Sequence, residues 1–122
     1  MQHAPGFLKL VEAARSGIRE IRPEEARQRL AANPAALLVD VREESEWAAG
    51  HAEGAIALGR GILERDIEAR VPDRATELIL YCGGGYRSAL AAESLQRMGY
   101  TRVWSLAGGY RAITTAGWPV TR

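Results

Sequence analysis

Cysteine is almost missing from this sequence. Cys82 is the only one, and the histidines are two, His3 and His51. A single thiol excludes an internal disulfide, and the clustered Cys/His sets that hold zinc are absent too, so no metal and no bound cofactor is expected. Lysine is nearly absent as well: Lys9 is the sole one among 16 basic residues, a bias we read as compositional or thermal before functional. Charge of one sign is not in excess, since 16 basic and 15 acidic residues leave a net charge of +1 and a pI near 7.9. On that balance neither nucleic acid nor an anionic membrane surface is expected as a partner. No apolar run approaches the roughly 20 residues of a membrane-spanning helix. Lys9, Glu12 and Arg15 interrupt MQHAPGFLKLVEAARSG before a secretory core can form. A reducing cytoplasm, where a lone thiol stays free, is the expected location.

What is present suits one domain: 47% apolar and 25% charged residues over 122 positions, enough for a single core. Phe7 to about Arg15 reads as a helix with Phe7, Leu8, Val11 and Ala14 on one side, closed by Gly17. We place it in an N-terminal extension over 1–17, packed on the sheet, covering a sheet edge or making an oligomer contact, ahead of a domain over 18–122. A short strand is expected at 19–21, then a helix opened by Pro23, where a missing N–H costs nothing. Its apolar stripe is Ala26, Leu30 and Ala31, and Asn33-Pro34 stops it. Arg22 falls at its N-cap and offers no acceptor to the free N–H groups, a loss of about 1 kcal/mol.

ALLVDV, residues 36–41, is a near-continuous apolar run of the kind buried on both faces of a sheet. A helical turn over 43–49 ends at Gly50, and GAIAL at 54–58 is another strand. Ile62 to about Arg70 reads as a helix with Ile62, Leu63 and Ile67 as its apolar members. ELILYC is a buried strand, Ser88 to Met98 a helix, RVWSL a fifth strand and Gly109 to Ala116 a last helix. Strands alternating with helices predict an α/β fold with a mostly parallel five-stranded sheet flanked by helices on both faces. Ligands in such folds bind at the carboxyl ends of strands. Two of those ends carry chemistry here: Asp40-Val41-Arg42, and Cys82 onward.

After Cys82 come Gly83, Gly84, Gly85, Tyr86, Arg87 and Ser88, and then the helix. A thiol becomes a strong nucleophile when it ionises. A helix start offers free N–H groups and partial positive charge, the glycines let successive N–H groups point inward, and Arg87 adds a cation. The combination favours a thiolate at Cys82, or an anion bound beside it, and reads as a site of covalent catalysis. A dinucleotide loop does not fit, because Ser88 falls where a third glycine is needed, and no Gly-Lys-Ser/Thr follows. Ser88 at a helix start reads as a cap. A cysteine phosphatase needs a cysteine, five residues and then an arginine; here only four residues separate Cys82 from Arg87. The tighter cradle suits a terminal sulfur better than a phosphoryl group and also weakens an arsenate-reductase reading.

Four segments together resemble the single-domain rhodaneses, a sulfurtransferase family. RPEEARQRL resembles the helix after the first strand; LLVDVREESEWAAGHAEGAIAL resembles the Asp-Val-Arg to Gly-His region; LYCGGGYRSALAAESLQRMGY resembles the active-site loop and its helix; VWSLAGGYRAITTAGWPV resembles the closing segment. The resemblance implies a rhodanese-like fold and a Cys82 that takes a sulfane sulfur as a persulfide. It makes Gly83, Gly84, Gly85, Tyr86 and Arg87 the rest of a six-residue loop that stabilises the persulfide, with Arg87 attracting an anionic donor. Asp40 and Arg42 match the Asp-Val-Arg motif; we expect Asp40 to accept from loop N–H groups and Arg42 to pair with Glu46 or a neighbour. His51 is expected to make a structural hydrogen bond, and Arg60 to stand at the mouth of the site or in solvent. Ile113 stands where the pattern carries tryptophan. The implied activity moves sulfur from thiosulfate or another persulfide donor to cyanide in vitro, or to a thiol or sulfur-carrier protein in the cell. The alternatives are a non-catalytic interaction module of the same fold and, against the spacing, a cysteine phosphatase or arsenate reductase.

Overall fold

The computed structural model of the chain describes residues 2–122. In chain order the elements are α1 (Pro5–Arg15), β1 (Arg19–Ile21), α2 (Pro23–Ala32), β2 (Leu37–Asp40), α3 (Glu44–Ala49), β3 (His51–Ala52) and β4 (Ile56–Ala57). They continue with α4 (Leu63–Arg70), β5 (Leu78–Tyr81), α5 (Tyr86–Arg97), β6 (Val103–Leu106), α6 (Gly109–Thr115) and β7 (Val120–Thr121). Five strands form one sheet in the order β1-β6-β5-β2-β4, with every pairing parallel. The short β3 and β7 pair antiparallel beside it; two residues each are too few to stand out in the sequence.

Side chains alternate across the sheet. Leu78, Leu80 and then Cys82 face one side, where they meet Leu63 and Ile67 of α4 and Ala91, Ala92 and Leu95 of α5. Ile79 and Tyr81 face the other, with Ala26 of α2 and Ile113 of α6. Each fully buried leucine or isoleucine contributes roughly 1.5–3 kcal/mol, so both helical layers are held firmly on the sheet. Ile113 is fully buried, and Trp118 packs in the same cluster. Glu77, at the start of β5, is buried among Arg29 Nη1 at 2.8 Å, Trp104 Nε1 at 2.9 Å and Asn33 Nδ2 at 3.3 Å, which ties α2 to the sheet.

Several expectations change. α1 packs on α5 rather than on the sheet or an edge. A helix seated on another helix buries a narrow stripe, so Val11 and Ala14 are buried while Leu8 stays exposed. The stripe of α2 is likewise narrower: Ala26 is buried, Leu30 half-buried and Ala31 exposed. Arg22 is its N-cap and makes no side-chain cap bond. α5 begins at Tyr86, two residues before Ser88, because Gly85 takes a left-handed φ of 97° and serves as the N-cap itself.

Candidate active site

β5 runs out at Tyr81, and Cys82 follows with 1% of its surface exposed. The turn through Gly83, Gly84 and left-handed Gly85 brings Gly85 N–H to 3.1 Å from Cys82 Sγ and Ser88 N–H to 3.4 Å. The thiol faces Ser88 Oγ at 3.6 Å, and that hydroxyl pairs with Ser105 Oγ at 2.8 Å. Ser88 therefore lies within the first turn and under the sulfur, where it does not cap. Turning N–H groups inward points carbonyls outward, and α6 receives them: Tyr110 N–H donates to Cys82 O at 2.6 Å and Arg111 N–H to Gly83 O at 3.2 Å. So close an approach requires glycine. A Cβ on Gly109 would collide with Cys82 O and lie 2.8 Å from the Gly83 carbonyl carbon, and one on Gly85 would lie 3.1 Å from Gly108 N.

Arg87 reaches Glu46 in a two-pronged pair, Nη1 to Oε1 at 2.7 Å and Nη2 to Oε2 at 3.1 Å. Glu46 sits in the first turn of α3 and its Oε1 also accepts the Glu43 N–H at 3.0 Å. The bonds from Arg87, helped by that N–H and opposed by partial burial, hold the Glu46 carboxyl down at about 2. Asp40 does not reach the Cys82 loop. Its oxygens are occupied by Arg42, which donates to Oδ1 from its backbone N–H at 2.9 Å and to Oδ2 from Nη2 at 2.8 Å. Arg42 accordingly pairs with Asp40 rather than Glu46. It also donates to Gly50 O at 2.7 Å and lies 4.2 Å from the Tyr110 ring centre. The Asp-Val-Arg motif thus supports α6 from below, and α6 holds the loop. His51 Nδ1 meets Trp47 O at 2.9 Å, and its ring stacks on Trp47 at 3.4 Å.

A cavity of about 710 Å3 opens above the sulfur, lined by His3 and Phe7 at the N-terminus, Glu46 of α3, Cys82 and Arg87 of the loop and Arg111 of α6. Gly83, Gly84 and Tyr86 also line it, while Gly85 and Ser88 lie beneath. The rhodanese-like domain family model matches residues 22–116. The chain belongs to the rhodanese-like family. A sulfurtransferase from Allochromatium vinosum is 35% identical over 103 residues, covering 84% of this chain and 94% of that one. The Escherichia coli tRNA uridine(34) hydroxylase is 30% identical over 63% of this chain, which spans only 23% of that longer protein. Among solved structures, a Rhodopseudomonas palustris protein described as of unknown function and a possible tyrosine phosphatase superposes with a TM-score of 0.84 at 29% identity, covering 99% of this chain and 98% of that one. The Wolinella succinogenes polysulfide-sulfur transferase homodimer superposes with a TM-score of 0.80 at 26% identity, covering 95% and 87%.

Within this rhodanese-like domain the cavity takes in residues the sequence did not single out. α1 lies outside the matched segment, yet His3 stands 4.4 Å from the Tyr86 ring, Phe7 stands 6.2 Å from it, and Arg15 lies 4.9 Å over it. Glu46 and Arg111 are drawn in by contacts far apart in the chain; the only local signal for Arg111 was its place after Gly108-Gly109. Arg60 does not line the cavity. It is held aside by Glu64 Oε2 at 2.8 Å, one helical turn on, and by Ser94 Oγ at 3.2 Å. No helix among the described residues is long and apolar enough to cross a membrane.

Gly109→Ala is expected to lower stability by about 2 kcal/mol or more, from the collision and the positive φ together, and to perturb the loop; chemical denaturation and thiol reactivity measure both. Because the folded Glu46 pKa is depressed, the stability it adds is present above about pH 4.5 and is lost as pH falls toward 2. Denaturation of wild type and Glu46→Gln across that window should show the gap between the two narrowing as the pH drops; a gap that does not narrow between pH 4.5 and pH 2 contradicts the assignment.

Proposed function

We propose that this member of the family moves a sulfane sulfur through a persulfide on Cys82. The observation that carries the reading is the pair of backbone N–H groups, from Gly85 and Ser88, that converge on a nearly buried Cys82 sulfur. Donors held there before reaction stabilise negative charge on the attacking sulfur and on the persulfide that follows it. The thiolate of Cys82 attacks the outer sulfur of thiosulfate or of another sulfane donor. A bond forms between Sγ and that sulfur, the donor's sulfur–sulfur bond breaks, and sulfite leaves with the bonding pair when thiosulfate is the donor. Cyanide in vitro, or a thiol or a sulfur-carrier protein in the cell, then takes the outer sulfur and returns the thiolate. Arg87 orients the loop through Glu46, and Asp40 and Arg42 brace α6. A lone reduced thiol suits a cytoplasmic setting.

The phosphatase reading has one point in its favour, the description of the Rhodopseudomonas palustris neighbour. Against it stands the interval of four residues between Cys82 and Arg87, which places Arg87 in the first turn of α5 with Nη1 and Nη2 both on Glu46. A non-catalytic module has no need of the donors gathered on the sulfur.

Initial rates with thiosulfate and cyanide should give the parallel reciprocal plots of a ping-pong reaction, and Cys82→Ser should lose turnover by at least about 1,000-fold while keeping its circular dichroism. Thiocyanate release by Cys82→Ser near the wild-type rate would refute the reading. Cys82-dependent hydrolysis of 4-nitrophenyl phosphate without sulfur transfer would favour the phosphatase.

A further inference from the structure

β6 carries one polar side chain into an apolar layer. Ser105 lies two residues after Val103 and so shares its face of the sheet, and Val103 belongs to the cluster of Leu80, Ala92 and Leu95. Ser105 is fully buried. Its hydroxyl has one hydrogen-bond partner among the described residues, Ser88 Oγ of α5 at 2.8 Å. Ser88 is fully buried too, and its hydroxyl has two neighbours, Ser105 Oγ and Cys82 Sγ at 3.6 Å. A serine inside a helix can turn its hydroxyl back to the carbonyl four residues earlier; Ser88 makes no such bond among the described residues. Burying a hydroxyl is a cost unless it is bonded, and here two are buried in line with the reactive sulfur.

Counting hydrogens fixes the direction of this chain. Each hydroxyl has one hydrogen to donate. Ser105 Oγ has a single partner, so its hydrogen is satisfied only by donating to Ser88 Oγ. Ser88 Oγ then accepts, and its own hydrogen has Cys82 Sγ as the remaining neighbour. The opposite direction leaves the Ser105 hydrogen buried without an acceptor, the costly arrangement. A thiolate can only accept, and so can the inner sulfur of a persulfide, which carries no hydrogen. A chain that runs from Ser105 through Ser88 to Sγ therefore suits the sulfur in both of its states.

Resting on the sulfur-transfer reading above, we infer that Ser105 is a positioning residue for the reaction: it orients the Ser88 hydroxyl as a third donor to the Cys82 sulfur, beside the N–H groups of Gly85 and Ser88. A hydrogen bond to an anionic sulfur is stronger than one to a neutral thiol, and a donor that itself accepts a hydrogen bond is strengthened further. Ser105 thus favours the thiolate without touching it. No proton is transferred along the chain, and both hydroxyls keep their hydrogens throughout the cycle. The charged and titratable groups that line the cavity with Cys82 are His3, Glu46 of α3, Tyr86 and Arg87 of α5 and Arg111 of α6, with Arg15 of α1 at 3.5 Å from Gly85 O. None of them bonds to either hydroxyl, so substitutions at Ser88 and Ser105 leave them in place.

Alkylation of the single cysteine by iodoacetamide, followed across pH by intact mass, reads the thiolate directly. The midpoint of the rate profile should rise by about one pH unit in Ser88→Ala, the low end for one charge-assisted hydrogen bond, and by about half a unit in Ser105→Ala. The double variant should match Ser88→Ala alone, because Ser105 acts through Ser88; a merely structural serine would add its own effect. With thiosulfate and cyanide, Ser105→Ala should lose about threefold in kcat/KM below the midpoint, the equivalent of half a unit, and converge on the wild type above it. An unchanged or lower midpoint in Ser105→Ala, or a further rise in the double variant over Ser88→Ala, overturns the inference. Should wild type release no thiocyanate, the sulfur-transfer reading falls, while the alkylation midpoints still decide whether Ser105 acts on the sulfur through Ser88.

Discussion

A sulfur atom at the end of a strand can accept two backbone N–H groups from its own loop only if that loop curls back on itself, and the curl turns the carbonyls of Cys82 and Gly83 the other way. Those carbonyls need donors, which α6 provides from Tyr110 and Arg111 at close range. The rest of the architecture follows from this exchange. Gly85 and Gly109 are glycines because the two backbones nearly touch. Tyr110 is braced by Arg42, Arg42 is held by Asp40, and Asp40 ends the strand beside β5. Ile113 anchors α6 in the core below. The site is thus a property of three neighbouring strand ends and one short helix, rather than of a loop alone.

The distribution of charge has its own logic. Arg87, the cation nearest the sulfur in sequence, is bound to Glu46, which fixes the loop's outer face against α3 and leaves little net charge. Arg111 is the guanidinium left open to solvent in the cavity. One arginine builds the site and the other is available to what enters it. α1 adds Phe7 to the lining of the same cavity, and it does so by packing on α5, the helix that starts at the active-site loop.

Much of this was legible in the sequence because it was local. Continuous apolar runs such as LILY and LLVD mark strands buried on both faces, and a cysteine followed by three glycines and an arginine marks the loop. Errors arose where the determining contact was distant or geometric. Ser88 resembled a cap, but a left-handed Gly85 starts the helix earlier and leaves Ser88 to Ser105 of β6. Asp40 spends its oxygens on Arg42 two residues away, so it makes none of the loop bonds expected of it, while Arg42 takes its neighbour rather than Glu46 and also reaches Gly50 O. For Arg60 the sequence left the site mouth and solvent both open, and an ion pair with Glu64 one helical turn on decides for a place outside the cavity lining. The partner of Arg87 lies 41 residues away, and no periodicity announces it. The place of α1 in the cavity wall depends on which helix its narrow apolar stripe meets, a choice made only in the folded chain.

The central claim is that Cys82 carries the sulfur. Intact mass spectrometry of wild type and Cys82→Ser, before and after thiosulfate and again after cyanide, tests it most directly. The account predicts a gain of one sulfur atom on the wild type alone, erased by cyanide. The same gain on Cys82→Ser, or none on the wild type with thiosulfate and organic persulfides alike, would contradict it.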